Sequence, residues 1–116
     1  MKNDLEINVQ NRGAVSIIEM AGDVTANTGQ LVEEAYTKVS DEGAGKVVLV
    51  FNEENYINSG GIAFLIGIAA ESKGRGQVIR AAGLSQHFSK IFDMMGLTRY
   101  MDLFPTLDSA LEGFED

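Results

Sequence analysis

Leu5, Ile7 and Val9 alternate with Glu6, Asn8 and Gln10, the period of a strand with one buried face. Asn11, Arg12 and Gly13 supply turn residues before the apolar run Val15 to Met20, so the chain opens on a predicted hairpin. Asn27 or Thr28 can cap the next element. There Leu31, Ala35 and Val39 recur every four residues while Glu33, Glu34 and Lys38 take other faces. This predicts a first helix ending near Glu42 and Gly43. Val47 to Phe51 shows no polar alternation and is rich in β-branched side chains, as a strand covered on both faces requires. It is the predicted centre of the sheet. After the acidic loop Asn52 to Asn55, the chain passes through Tyr56, Ile57, Asn58, Ser59, Gly60 and Gly61 into a long apolar helix pattern with Ile62, Leu65, Ile66 and Ala69. Gln77 to Ala82 reads as a short strand. Ser85 can cap a helix carrying Phe88, Ile91, Phe92 and Met95, with Gly96 placed to end it. Met94 and Met95 are expected to pack beside Phe92. Tyr100 to Phe104 is a weak strand pattern. Pro105 and Thr106 then open a short helix with Leu107, Ala110, Leu111 and Phe114 at helical spacing.

The order β-β-α-β-α-β-α-β-α implies crossover helices between parallel strands, with an antiparallel contribution from the hairpin. The predicted fold class is α/β, with a mixed, mostly parallel sheet of about four to five strands and about four helices. The 116 residues, 45% of them hydrophobic, suffice for one core. No repeat, low-complexity tract or Pro-rich linker divides the chain, and residues 1–116 are read as a single domain.

Charge narrows the choice of partners. Nine Lys plus Arg against 17 Asp plus Glu give a net charge of -8, which repels phosphate backbones and anionic lipid surfaces. No direct nucleic acid partner is expected. Lys73, Arg75 and Arg80 can form a local basic spot, although Lys and Arg after a helix more simply complement its C-terminal dipole. The longest apolar stretch, Ile62 to Ala70, falls far short of the roughly 20 residues that cross a bilayer, so membrane insertion is not expected. The N-terminus lacks the apolar region of a signal peptide. With no cysteine in the chain, a cytoplasmic location is the expectation.

The absence of cysteine also excludes a disulfide framework, a thiolate metal site and a thiol nucleophile. His87 is the single histidine and falls on the solvated side of a helix pattern beside Phe88 and Ile91. Asp23, Asp93 and Asp102 are scattered over different elements. No GxGxxG or GxxxxGK[ST] string is present to cradle a nucleotide phosphate. Catalysis, a bound metal and a cofactor are therefore not expected. The remaining chemistry is Ser59, placed where a buried strand hands over to a helix, a position where loops of open α/β sheets collect function. Gly60 and Gly61 remove side chains beside it and admit another backbone. Equally, Ser is a good N-cap and Gly a common turn residue, so capping explains each residue without any partner.

The segment Tyr56-Ile57-Asn58-Ser59-Gly60-Gly61-Ile62 resembles the STAS domain motif written hydrophobic-Asp-Ser-Ser/Thr-Gly-Leu/Ile. Gly22-Asp23-Val24-Thr25-Ala26 with the following helix looks like the family's Gly-x-Leu-Asp-x start, and Lys46 to Val50 looks like its central strand. Gly83-Leu84 followed by Phe92-Asp93-Met94-Met95-Gly96-Leu97 is similar to its late helix and Gly-Leu turn. The resemblance covers about Leu5 to Phe114. It implies a STAS-like single domain acting as a stand-alone anti-sigma factor antagonist, whose partner is an anti-sigma factor that is also a serine kinase of the GHKL type. By the same resemblance Ser59 is the phosphorylated residue, and Asn58, Ser59, Gly60, Gly61, Asp23 and Thr25 form the partner-binding set. A homo-oligomer is compatible with it. Two departures stand out: Asn58 replaces the acidic residue before the serine, and Gly60 replaces the second Ser or Thr. They favour the alternative of a phosphorylation-independent scaffold or transport-regulatory subunit that acts through protein contacts alone.

Overall fold

The computed structural model describes residues 5–114. The strands β1 (Glu6–Arg12) and β2 (Val15–Ala21) form the hairpin. They are followed by α1 (Gly29–Asp41), β3 (Lys46–Val50), α2 (Ser59–Gly74), β4 (Val78–Ala82) and α3 (Gln86–Met94). A 3₁₀ turn (Leu97–Arg99), β5 (Met101–Phe104) and α4 (Leu107–Leu111) complete the described chain. The strands lie in the sheet in chain order, β1-β2-β3-β4-β5. β1 is antiparallel to β2, and β2 to β5 are mutually parallel. The α/β class and the mixed, mostly parallel sheet are thus as expected.

The three parallel crossovers step the same way along the sheet, and because such connections share one hand they place α1, α2 and α3 on one face, where all three contribute to a single core. Ile18, Met20, Val47, Leu49 and Ile79 meet these helices in the larger core. On the opposite face Val15, Ile17, Val48 and Ala82 pack against Ala110, Leu111 and Phe114 of the α4 region. β3 contributes buried residues to both clusters, which is why its sequence lacks polar alternation.

Local chemistry accounts for the boundaries. The hairpin turns at Gly13, with φ 60, so Asn11 and Arg12, expected in the turn, remain in β1. The buried stripe of α1 is Val32, Tyr36 and Val39, spaced i, i+4, i+7, whereas the expected Leu31-Ala35-Val39 row drifts off a 3.6-residue period. Leu31 is accordingly 45% exposed. The Ser85 hydroxyl accepts from the Phe88 amide to start α3, and Gly96 ends it at φ 83. The expected packing of Met94 and Met95 is not found. They are 81% and 52% exposed, because a nine-residue helix turns only Phe88, Phe92 and part of Ile91 inward. The sequence pattern gave no sign of the 3₁₀ turn.

Lys73 lies in the last turn of α2 and Arg75 at its C-cap, the simpler of the two readings, and the alternative basic spot with Arg80 does not assemble. Arg75 sits at the end of α2 and pairs with Glu71 (2.9 Å) and Asp41 (3.3 Å). Arg80 instead lies beneath α4, its guanidinium 4.0 Å from the ring centroid of Phe114 and 5.0 Å from that of Phe104. It donates to the carbonyls of Ala110 (2.8 Å) and Glu112 (3.3 Å). Lys46 donates to the Phe114 carbonyl at 2.9 Å. The two cations tie the last helix to the sheet, and the Thr106–Ser109 capping box starts it.

Candidate functional site

The loop after β3 is held by a side chain that its polar sequence did not single out. Asn55 is buried. Its amide donates to the carbonyls of Gly22 (2.5 Å) and Met20 (3.4 Å), and its oxygen accepts from the Asn52 amide. Burying an amide this way is favourable only because both ends are satisfied. Asn55 thereby fixes residues 52–55 to the end of β2. Nothing separated it in advance from neighbouring Asn52; only the tendency of Asn to close turns pointed to it.

Beyond this latch the two loops at the carboxyl ends of β2 and β3 run side by side. The Val24 amide donates to the Tyr56 carbonyl (2.8 Å), and the Asn58 amide donates to the Val24 carbonyl (3.1 Å). They form a one-residue parallel bridge between Val24 and Ile57. The structure therefore brings Asp23 and Thr25 next to Asn58, Ser59, Gly60 and Gly61, although more than thirty residues separate them in the chain.

The backbone admitted by the two glycines is the chain's own. A Cβ at Gly60 would lie 2.5 Å from the Ala26 Cβ, and one at Gly61 would lie 2.1 Å from the Val24 carbonyl oxygen. Gly60 thus has no room for a Ser or Thr side chain. Gly29 is similarly filled, by the ring of Phe64. Residues 25–28 are closed by their own hydroxyls. The Thr28 hydroxyl donates to the Asp23 carbonyl (2.7 Å) and accepts from the Thr25 amide (2.9 Å), while the Thr25 hydroxyl accepts from the Asn27 amide (3.1 Å). Thr25 and the Asp23 backbone therefore shape the loop.

Capping falls to Asn58, not Ser59. Asn58 is extended (φ -93, ψ -179) and its side-chain oxygen accepts from the Gly61 amide at 2.9 Å. The Ile62 amide donates to the Asn58 carbonyl. Ser59 is the first residue of α2, exposed, and its hydroxyl has no hydrogen-bond partner among the described residues. Its own amide and that of Gly60 are orphan donors of the helix start. An acceptor-rich anion attached at Ser59 would meet these amides and the positive end of the helix dipole. Beside the turn, Tyr56 is 56% exposed and its ring packs edge-on to Phe88, with centroids 6.2 Å apart. His87, also exposed, packs on the same Phe88 ring.

No cluster of His, Asp or Glu suited to a metal ion is present among the described residues. No helix among them is long and apolar enough to cross a membrane.

Residues 6–110 match the STAS domain family, and the chain belongs to that family. Solved structures with the same fold include an anti-sigma factor antagonist from Mycobacterium paratuberculosis. It is 19% identical with a TM-score of 0.84, and the match covers 100% of this chain and 98% of that one. The phosphorylated form of the Bacillus cell fate determinant SpoIIAA is 17% identical, with a TM-score of 0.67 and coverage of 93% and 98%. The unphosphorylated form of the anti-sigma factor antagonist SpoIIAA is 21% identical, with a TM-score of 0.61 and coverage of 94% of both chains.

Proposed function

We propose that this chain is an anti-sigma factor antagonist that offers the turn Asn58 to Gly61, with the adjoining loop at Asp23 and Thr25, to an anti-sigma factor. That partner is a serine kinase of the GHKL type, and Ser59 is the residue it phosphorylates. One observation carries the reading. Asn58 performs the capping that would otherwise occupy a serine hydroxyl, leaving the Ser59 hydroxyl exposed on a turn held rigid by Asn55 and the Val24–Ile57 bridge.

Phosphate adds a charge of about -1.5 to -2 at neutral pH. At the start of α2 the helix dipole and the free amides of Ser59 and Gly60 favour that charge. The fold therefore tolerates the modification, and its effect falls on the partner, which must then accommodate a dianion where it met a hydroxyl. The test is intact mass with site mapping after mixing the chain with candidate anti-sigma kinases, ATP and magnesium. One phosphate on Ser59, absent from Ser59→Ala, is the expected result.

Asn58 supports a second reading, a scaffold that binds without being modified. Asn58→Asp would preserve the cap and restore the acidic group usual in the family, so Asn58 lacks a charge without lacking its structural role. Binding of a kinase with no transfer to Ser59, and transfer gained in Asn58→Asp, would select this reading.

A further inference from the structure

β1 is an open sheet edge. It pairs with β2 without a bulge from Glu6–Ala21 to Arg12–Val15, and no strand among the described residues adjoins its other side. The opposite edge is protected: β5 has four residues, Pro105 follows it, and the 3₁₀ turn packs against it. Short strands, proline and cover prevent edges from recruiting other strands. β1 has seven residues, no proline, and no charge from Ile7 to Asn11.

The hairpin dictates which backbone groups the edge presents. Its two-residue loop, with Gly13 at φ 60, makes Arg12–Val15 a hydrogen-bonded pair, and bonded pairs alternate from there. Glu6, Asn8, Gln10 and Arg12 therefore bond to β2. Ile7, Val9 and Asn11 turn their N–H and C=O groups outward, symmetrically about Val9.

We infer that β1 pairs antiparallel with β1 of a second copy about a two-fold axis at Val9, joining the two sheets into one of ten strands. In this register Val9 meets the second copy's Val9 and Ile7 meets its Asn11, so all the outward groups are satisfied. On the helix side, Val9 (42% exposed) and nearby Leu31 border a groove shared with Leu5, Ile7 and Ala35, which the second copy continues. On the other side Glu6 falls opposite the second copy's Arg12, and Asn8 opposite its Gln10. A register moved by one residue puts β1's outward groups opposite groups already bonded to β2, and larger shifts leave some unpaired. The strand is self-complementary in its backbone groups and in the apolar contact at Val9, and it sets Glu6 opposite the cation of the second copy's Arg12. Because the two copies of β2 then run in opposite directions, the Ser59 turns emerge at opposite ends of the joined sheet, so pairing and the turn's availability are independent.

One strand and one small groove make an interface below standard size, hence a weak, concentration-dependent dimer. Sedimentation equilibrium between about 10 μM and about 1 mM is expected to show the mass rising from the 12.5 kDa of one chain towards twice that. Val9→Lys places like charges on the axis and is expected to weaken association about tenfold or more. Val9→Pro removes an outward N–H that β2 does not use and should do the same. Circular dichroism checks that both variants keep the monomer fold, and Val9→Lys decides the matter should the proline variant lose it. A wild-type chain that stays monomeric throughout the range, or a dimer equally tight in folded Val9→Lys, overturns the inference.

Discussion

Gly61→Ala tests the claim that the two loops of the site are seated on glycine. The new methyl would be built 2.1 Å from the Val24 carbonyl oxygen, a backbone atom that no side-chain rotation can move away. Forcing a methyl into filled space costs about 1–3 kcal/mol. The displaced carbonyl also accepts from the Asn58 amide, and the Val24 amide bonds to Tyr56; each such bond contributes about 0.5–1.5 kcal/mol. Replacing Gly by Ala in a helix returns at most about 1 kcal/mol. The balance is a loss of about 3 kcal/mol, which lowers the melting temperature by about 12 °C in a chain of this size. Gly67→Ala is the internal control. It lies in the same helix with nothing within 4 Å of the added methyl, and should gain about 0.5–1 kcal/mol. Thermal and urea melts followed by circular dichroism measure both. If Gly61→Ala melts with the wild type, or Gly67→Ala loses as much stability as Gly61→Ala, the loop packing described above is wrong.

Asn58→Ala should cost about 1 kcal/mol through the lost cap, and Asn58→Asp should cost nothing; urea midpoints distinguish them. Ser59→Glu, a carboxylate at a helix start, should change stability by no more than about 1 kcal/mol, so any binding defect it shows is not unfolding. Arg80→Ala removes two hydrogen bonds and the stacking on Phe104 and Phe114, with an expected loss of about 2–3 kcal/mol and faster hydrogen exchange in residues 107–114. Burial raises the Tyr36 hydroxyl above its ordinary pKa of 10.0, so the native state keeps a proton that the unfolded chain releases. Stability is then intact below about pH 10 and falls as pH rises through the raised native value; Tyr36→Phe should flatten that decline in urea titrations.

Most of the strand and helix order was legible because burial imposes it. β3 had to be apolar throughout, since both of its faces are covered, and Gly96 marked a helix end that its positive φ requires. What the pattern misassigned turns on three-dimensional facts. Leu31 and Val32 are neighbours of similar hydropathy, and only the helix period relative to the sheet decides which faces inward. Met94 and Met95 looked like core because helix length, not composition, determines where the inward stripe stops. At the site, Ser59 stood out as a hydroxyl at a strand-to-helix junction. The division of labour by which Asn58 caps and Ser59 stays unused did not, since both residue types cap well. The filling of Gly60 and Gly61 by Val24 and Ala26 was equally hidden, because it joins segments distant in the chain.

The strand order has a consequence for biosynthesis. With every strand beside its predecessor in the sequence, a chain emerging from the ribosome always finds the strand it must join already made. Assembly can proceed from one edge to the other without waiting for a later segment to be inserted. The exception is the second face of the sheet. Val15, Ile17 and Val48 are translated early, yet their cover arrives with Ala110, Leu111 and Phe114. Until those residues emerge this face is an uncovered apolar surface, and the cations of Lys46 and Arg80 wait on it for the carbonyls that will eventually hold α4 in place.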